Sequence, residues 1–170
     1  FVHTEVERAL APGLDRFDFY FAGPPPMIDA MQDLLMARHR VPFDQIRFDF
    51  DVPPGTAEGI ARFYGQVMNA PAQAGNGRAV VSVGRNQKLF FSEKEEKLPA
   101  YDGHHIQVYI ADFSSGYAWL KARNLVSMET DPHEWRFQWI TDPQDGRPLF
   151  QIEHEVRSMK HPLFGRPLVN

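Results

Sequence analysis

Residues 102–113 read Asp102-Gly103-His104-His105-Ile106-Gln107-Val108-Tyr109-Ile110-Ala111-Asp112-Phe113. Polar and apolar side chains alternate through His104–Ala111, the period of a strand with one buried face. Asp112 or Ser114 then stands where a helix N-cap belongs, and Phe113, Tyr117 and Leu120 share one side of a helix predicted over Ser115–Asn124. Three strand candidates follow: Val126–Glu129, Trp135–Ile140 and Leu149–Val156. Asp131-Pro132 and Asp142-Pro143-Gln144-Asp145-Gly146 supply the breaks between them. The order is strand, helix, three strands.

The same order occurs upstream. Gln45–Val52 alternates as a strand, Pro53-Pro54-Gly55 turns the chain, and Thr56 is a plausible N-cap. Ile60, Phe63, Tyr64, Val67 and Met68 form a helical stripe. Short strands are expected near Ala72–Ala74, Arg78–Val83 and Lys88–Ser92, with turns at Gly75-Asn76-Gly77 and Gly84-Arg85-Asn86. Glu93–Lys97 reads as a solvated charged loop. Matching Val52 to Ile110 gives a period of 58 residues. One βαβββ unit leaves a sheet face bare, and two units together enclose a cleft. The fold class expected is therefore α+β, paired βαβββ modules forming a cleft.

The first fifty residues add a strand–helix segment. Arg16–Phe21 is an aromatic run suited to a strand, and the three prolines of Gly23-Pro24-Pro25-Pro26 stop it. Met27, Ile28, Met31, Leu34 and Leu35 then fall at helical spacing, ended by Val41-Pro42. The resulting division is 1–45 as a preceding segment, 46–160 as the paired-module domain and 161–170 as a tail.

The totals narrow the classes. A net charge of −4 and a pI near 6.0 give no reason to expect nucleic acid or an anionic membrane as partner. The absence of cysteine excludes disulfides, thiolate metal sites and cysteine nucleophiles, and fits a cytoplasmic location. No apolar run reaches the length of a membrane span. The chain opens on Phe1, which suggests a processed chain or part of something longer.

Residues 46–170 resemble the vicinal oxygen chelate superfamily of glyoxalases and extradiol dioxygenases. The resemblance lies in Gly59-Ile60-Ala61-Arg62-Phe63-Tyr64, in Asp102-Gly103-His104-His105-Ile106, in Asp112-Phe113 before Leu120-Lys121-Ala122-Arg123, and in Asp142-Pro143-Gln144-Asp145-Gly146-Arg147. Residues 1–50 resemble the C-terminal end of a ferredoxin-reductase-type NAD(P)H flavoprotein, through Asp18-Phe19-Tyr20-Phe21-Ala22-Gly23-Pro24-Pro25-Pro26-Met27. The flavin domain of that family has no counterpart in these residues, so no flavin is expected on this chain.

The superfamily resemblance implies a small-molecule ligand, a homodimer and a divalent ion (iron, manganese, zinc or nickel) that chelates neighbouring substrate oxygens as a Lewis acid. The implied ligands are His105, Glu153 and Asp49, the last because the directly matching first-module position is Arg47, which cannot bind a metal. The superfamily's usual last-strand Glu falls on Phe150. Alternation turns His105, Gln107 and Tyr109 toward the cleft, with Tyr109 as candidate acid and Glu153 as ligand or base. Arg47 and Arg136 are candidate anion binders, and Gln107, Trp135 and Trp139 complete the candidate substrate-binding set. His104 reads as a rim or structural residue. The readings open at this point are a metal-dependent lyase or dioxygenase, a ligand-sequestering protein without catalysis, and an accessory domain of an NAD(P)H-dependent reductase in an oxygenase system.

Overall fold

The computed structural model describes residues 19–21, 30, 33–38, 40, 46–84 and 87–164. The Gly23–Met27 stretch and most of the helix expected after it lie outside the described residues; Asp33–Arg38 forms a single π-helical turn. Strand β1 is Phe19–Phe21 and β2 is Ile46–Val52. Helix α1 (Ala57–Gln66) follows, then β3 (Ala72–Gly75), β4 (Arg78–Ser82) and β5 (Lys88–Glu93). The second module runs β6 (His105–Ile110), α2 (Phe113–Lys121), β7 (Val126–Asp131), β8 (Glu134–Thr141) and β9 (Pro148–Ser158).

Each module forms its own sheet, and the topology is the same in both. The first sheet is ordered β1-β2-β5-β4-β3 and the second β6-β9-β8-β7. In each, the module's first strand pairs in parallel with its last, and the other pairings among the module's own four strands are antiparallel. The fold is the paired βαβββ architecture that the repeat predicts. One addition falls across the expected boundary at residue 45: β1 pairs in parallel with β2, so part of the preceding segment belongs to the first module's sheet.

Helix α1 lies between the two sheets. Ile60, Phe63, Tyr64, Val67 and Met68 are all buried in one core with residues of both modules. Phe63 packs on Phe137 of β8 at 5.6 Å, while Tyr64 packs on Phe91 of β5 at 5.5 Å. Arg62 donates to Asp142 from Nη2 at 2.6 Å and from Nε at 3.3 Å, tying the helix to the β8–β9 turn. That contact holds the Asp142 carboxyl below its ordinary range. The other side of each sheet faces away from this helical layer.

The start of α1 is capped from a distance. Thr56 does not cap with its side chain; its hydroxyl donates instead to the Pro53 carbonyl at 2.6 Å. The Ala57 N–H donates to Glu93 Oε1 at 2.8 Å, a bond that lowers the Glu93 pKa. Glu93, at the head of the charged run, thus serves the helix dipole across 36 residues of sequence. Asp112 caps α2 as expected, accepting from the Ser115 N–H at 3.3 Å.

A buried polar pair joins the modules. His154 on β9 is fully buried and stacks on Phe137 at 4.2 Å. Its Nδ1 lies 3.0 Å from the Ile152 carbonyl, which can only accept, so Nδ1 carries the proton. Nε2 therefore accepts from the Tyr64 hydroxyl at 2.6 Å. Burial pulls the His154 pKa down from 6.5 to about 3 and pushes the Tyr64 hydroxyl up.

Two predictions follow from this core. A Cβ at Gly116 would stand 2.8 Å from the Val67 backbone carbonyl, whereas one at the exposed Gly65 meets nothing within 4 Å. Gly116→Ala is expected to cost about 1–3 kcal/mol through overpacking, and Gly65→Ala to gain up to about 1 kcal/mol of helix stability, both read from urea unfolding. The second concerns Tyr64 and His154. Tyr64→Phe strands the buried Nε2 and is expected to cost about 1–3 kcal/mol, more than the apolar double variant Tyr64→Phe/His154→Leu costs. His154 stays neutral when folded but titrates near 6.5 when unfolded, so the unfolded state binds the extra proton between these values. Stability is complete above pH 6.5 and falls as pH drops toward 3. Between pH 6.5 and about 5 the loss is about 2 kcal/mol, and the double variant should lack it.

Candidate functional site

Two surfaces carry chemistry: the outer face of the second sheet, and a cleft at the seam between the modules. The first is made by strand alternation. Ile152, His154 and Val156 enter the core, which turns Gln151, Glu153, Glu155 and Arg157 outward. On β6 the same rule turns out His105, Gln107 and Tyr109, and His105 is the register partner of Glu153. The structure thus sets those two implied ligands side by side.

The surrounding side chains commit Glu153 elsewhere. Arg136 donates to its Oε1 at 2.9 Å and Gln138 to its Oε2 at 3.2 Å. Arg136 also pairs with Glu155 at 2.5 Å and Glu134 at 3.3 Å. Arg157 answers Glu134 at 2.9 Å and Glu155 at 2.6 Å. Burial would raise the Glu134 pKa, but hydrogen bonds from Thr130, Arg157 and Arg136 outweigh it and the net shift is downward. Tyr109 stands four residues further along β6 than His105, roughly 13 Å away. Its hydroxyl accepts from Arg157 at 3.3 Å, and Phe164 packs on its ring at 5.2 Å.

Asp49 sits on the other sheet. Its Oδ2 accepts from Arg78 at 2.8 Å and its Oδ1 from Ser92 at 2.9 Å. Among the described residues no group of three His, Asp or Glu side chains is placed to hold a metal ion. With Glu153 and Asp49 each bonded at both oxygens, the implied set of His105, Asp49 and Glu153 does not fit a metal within one chain. Trp135 is a buried core residue beneath α2, packed on Phe113 and Tyr117 at 5.9 and 6.0 Å, and does not line the cleft between the modules. Arg136 belongs to the carboxylate network. Arg47 lies on β2, opposite Tyr20 of β1. Gln107 is exposed on β6.

The cleft has a volume of about 470 Å³ and lies where the connection from β5 to β6 crosses between the sheets. Phe48 and Phe50 of β2 form one wall, Leu149 and Phe150 of β9 another, and the exposed ring of Trp139 stands at its edge. Leu98-Pro99-Ala100-Tyr101 closes the side. Phe50 stacks on Phe91 at 5.1 Å and lies 6.3 Å from Phe150, so the aromatic wall continues into the core. Polar groups are few: Asp49, Asp51, Asp102, His104 and Gln151. His104 lies parallel to Phe50 (6.3 Å, 12°), and its Nδ1 is 2.5 Å from Asp102 Oδ1, a contact that lowers the Asp102 pKa. Of the residues singled out in sequence, Trp139, Asp49, Asp102, Phe150 and His104, the last read as a rim or structural residue, line this cleft. Phe48, Phe50 and the 98–101 connection emerge only in three dimensions; the Pro99–Tyr101 stretch between a charged run and a strand is the one local hint.

No family model matches the chain. Over 49 residues it is 47% identical to the ferredoxin–NAD(P)+ reductase CarAd of Metapseudomonas resinovorans, which is 29% of this chain and 15% of that protein. The chain thus spans a small fraction of the length of the curated relative it matches. Among solved structures it is similar to a putative glyoxalase family protein from Bacillus anthracis (18% identity, TM-score 0.44, 65% of this chain and 89% of that one). It is also similar to the fosfomycin resistance protein FosX from Mesorhizobium loti (17%, 0.43, 66% and 88%) and to the oxidase ChaP-H2 (13%, 0.45, 70% and 91%). At TM-scores this low, these superpositions add nothing to the topology already described.

Proposed function

We propose that this chain is a small-molecule-binding domain of the glyoxalase and dioxygenase type, with its ligand in the aromatic cleft between the modules. The observation that carries the reading is the cleft itself: a concave site of about 470 Å³, walled by Phe48, Phe50, Leu149, Phe150 and Trp139, with a few polar groups at its edge. Sites of this size and composition take drug-sized ligands, the apolar wall supplying affinity and the polar groups orientation. The commitment of Glu153 and Asp49 to other partners favours binding over metal-dependent lyase or dioxygenase chemistry. A homodimer is part of the proposal, because Met128, Met159, Leu163 and Phe164 remain exposed at the second module.

The reductase match supports a second reading, an accessory domain of an NAD(P)H-dependent reductase in an oxygenase system. A parent reading frame that continues upstream into a flavin domain would favour it.

Planar aromatic compounds should raise the melting temperature and quench Trp139 fluorescence. Trp139→Ala should weaken binding about tenfold, equivalent to one aromatic contact of about 1–1.5 kcal/mol. Amide shifts confined to Gln107, Gln138 and their neighbours on the outer sheet face would place the ligand elsewhere and overturn the reading. Elemental analysis of protein purified without chelator tests the metal alternative. The expectation is no metal that depends on His105; stoichiometric metal lost in His105→Ala would restore the enzymatic reading.

A further inference from the structure

We infer that the ligand of this cleft is a flat aromatic nitrogen compound, neutral or positively charged, that donates an N–H to His104 Nε2. The inference rests on the cleft being the binding site and specifies what that site selects.

The geometry around His104 defines one open acceptor. Asp102 Oδ1 lies 2.5 Å from His104 Nδ1 and 3.0 Å from the His104 backbone N–H. An ionised carboxylate only accepts, so Nδ1 carries the proton of that contact, and in the proposed complex Nε2 is the ring nitrogen left to accept from the ligand. The Tyr101 hydroxyl donates to the His104 carbonyl at 2.9 Å, and its ring packs on the imidazole at 5.3 Å, which fixes the residue from a second side. Among the described residues no hydrogen bond to Nε2 is formed. The buried His154 differs in this respect, with both nitrogens taken, and His105 has no carboxylate bonded to its ring.

The ring's orientation sets the ligand's shape. Because the imidazole is nearly parallel to Phe50, a donor approaching Nε2 in the ring plane lies in a layer parallel to the Phe50 face. In the proposed complex a flat ligand bonded to Nε2 lies parallel to Phe50. The charge of the cleft sets the sign. Among the described residues its lining includes Asp49, Asp51 and Asp102 but no Lys or Arg. Arg78 pairs with Asp49, Lys94 stands 3.9 Å from Asp51, and His104 partners Asp102. The cavity itself meets carboxylates, which disfavour an anionic ligand and favour a cation over the aromatic faces.

The test uses three fluorescent probes of one shape: proflavine (a flat cation with N–H donors), methylanthracene (no donor, no charge) and anthracene carboxylate (an anion). The whole chain is titrated as wild type, His104→Phe and Asp102→Asn. His104→Phe keeps a stacked ring and removes the acceptor, and thermal melts of both variants confirm folding. Proflavine is expected to bind wild type more tightly than the other two, to lose about tenfold or more in His104→Phe, and to lose less in Asp102→Asn. Methylanthracene should bind wild type and His104→Phe within about twofold of each other. Proflavine binding unchanged in His104→Phe, or tighter binding of the carboxylate, overturns this inference and leaves the cleft reading standing. Failure of all three probes to bind wild type overturns the cleft reading itself.

Discussion

Helix α1 is packed against both sheets at once, and the rest of the molecule is arranged around that double contact. Phe63 faces the second sheet, Tyr64 reaches both, and Arg62 clamps the β8–β9 turn. A Cβ at Gly59 would stand 2.6 Å from Leu149 Cδ1, which marks how closely helix and hairpin pack at this residue. The Tyr64–His154 bond sits inside this contact. An unpaired polar atom at such depth costs more than its bond contributes, so the pair disfavours alternative registers between the modules. Because the shared core occupies the space between the sheets, their polar faces turn away from it. A concave site then forms at the seam, where the connection passes from one module to the other.

Charge is distributed unequally between the two chemical surfaces. On the outer face of the second sheet, Glu134, Glu153 and Glu155 are answered by Arg136 and Arg157, so the face is nearly self-compensated. Such a network fixes strand register and side-chain orientation, and it leaves little carboxylate capacity for a metal or a substrate. The cleft has the opposite character. Its walls are largely hydrocarbon, and the Arg78 and Lys94 cations that answer Asp49 and Asp51 stand outside the lining.

The repeat was legible because each βαβββ unit writes its own periodicity: alternation in β6 and β9, and the 60-63-64-67-68 stripe on α1. Alternation put His105, Gln107 and Tyr109 on one face of β6, but that face is the outer side of the second sheet and not the wall of the cleft toward which they were expected to turn. Local pattern placed Thr56 correctly as the N-cap residue of α1 but could not show that the side-chain cap comes from Glu93, which arrives from the end of β5. The superfamily resemblance singled out His105, Asp49 and Glu153, but ligand type alone does not reveal that Arg78, Ser92, Arg136 and Gln138 occupy the carboxylate oxygens. Phe48 and Phe50 read as ordinary strand apolars, and Phe150 stood out only as the position of the superfamily's usual carboxylate. Their meeting beside Pro99 and His104 depends on how the modules pack, which no local period encodes.

Strand β1 has a consequence beyond the count of strands. Without it, β2 would lie at the border of the first sheet, with the backbone amides and carbonyls of one flank unpaired and Phe48, Phe50 and Val52 beside them. Such a border recruits further strands from other molecules, the first step toward insoluble assembly. By covering part of it, β1 acts as a guard strand. A recombinant domain trimmed to begin at Ile46 would retain both modules and lose that guard, exchanging a shorter chain for poorer solubility.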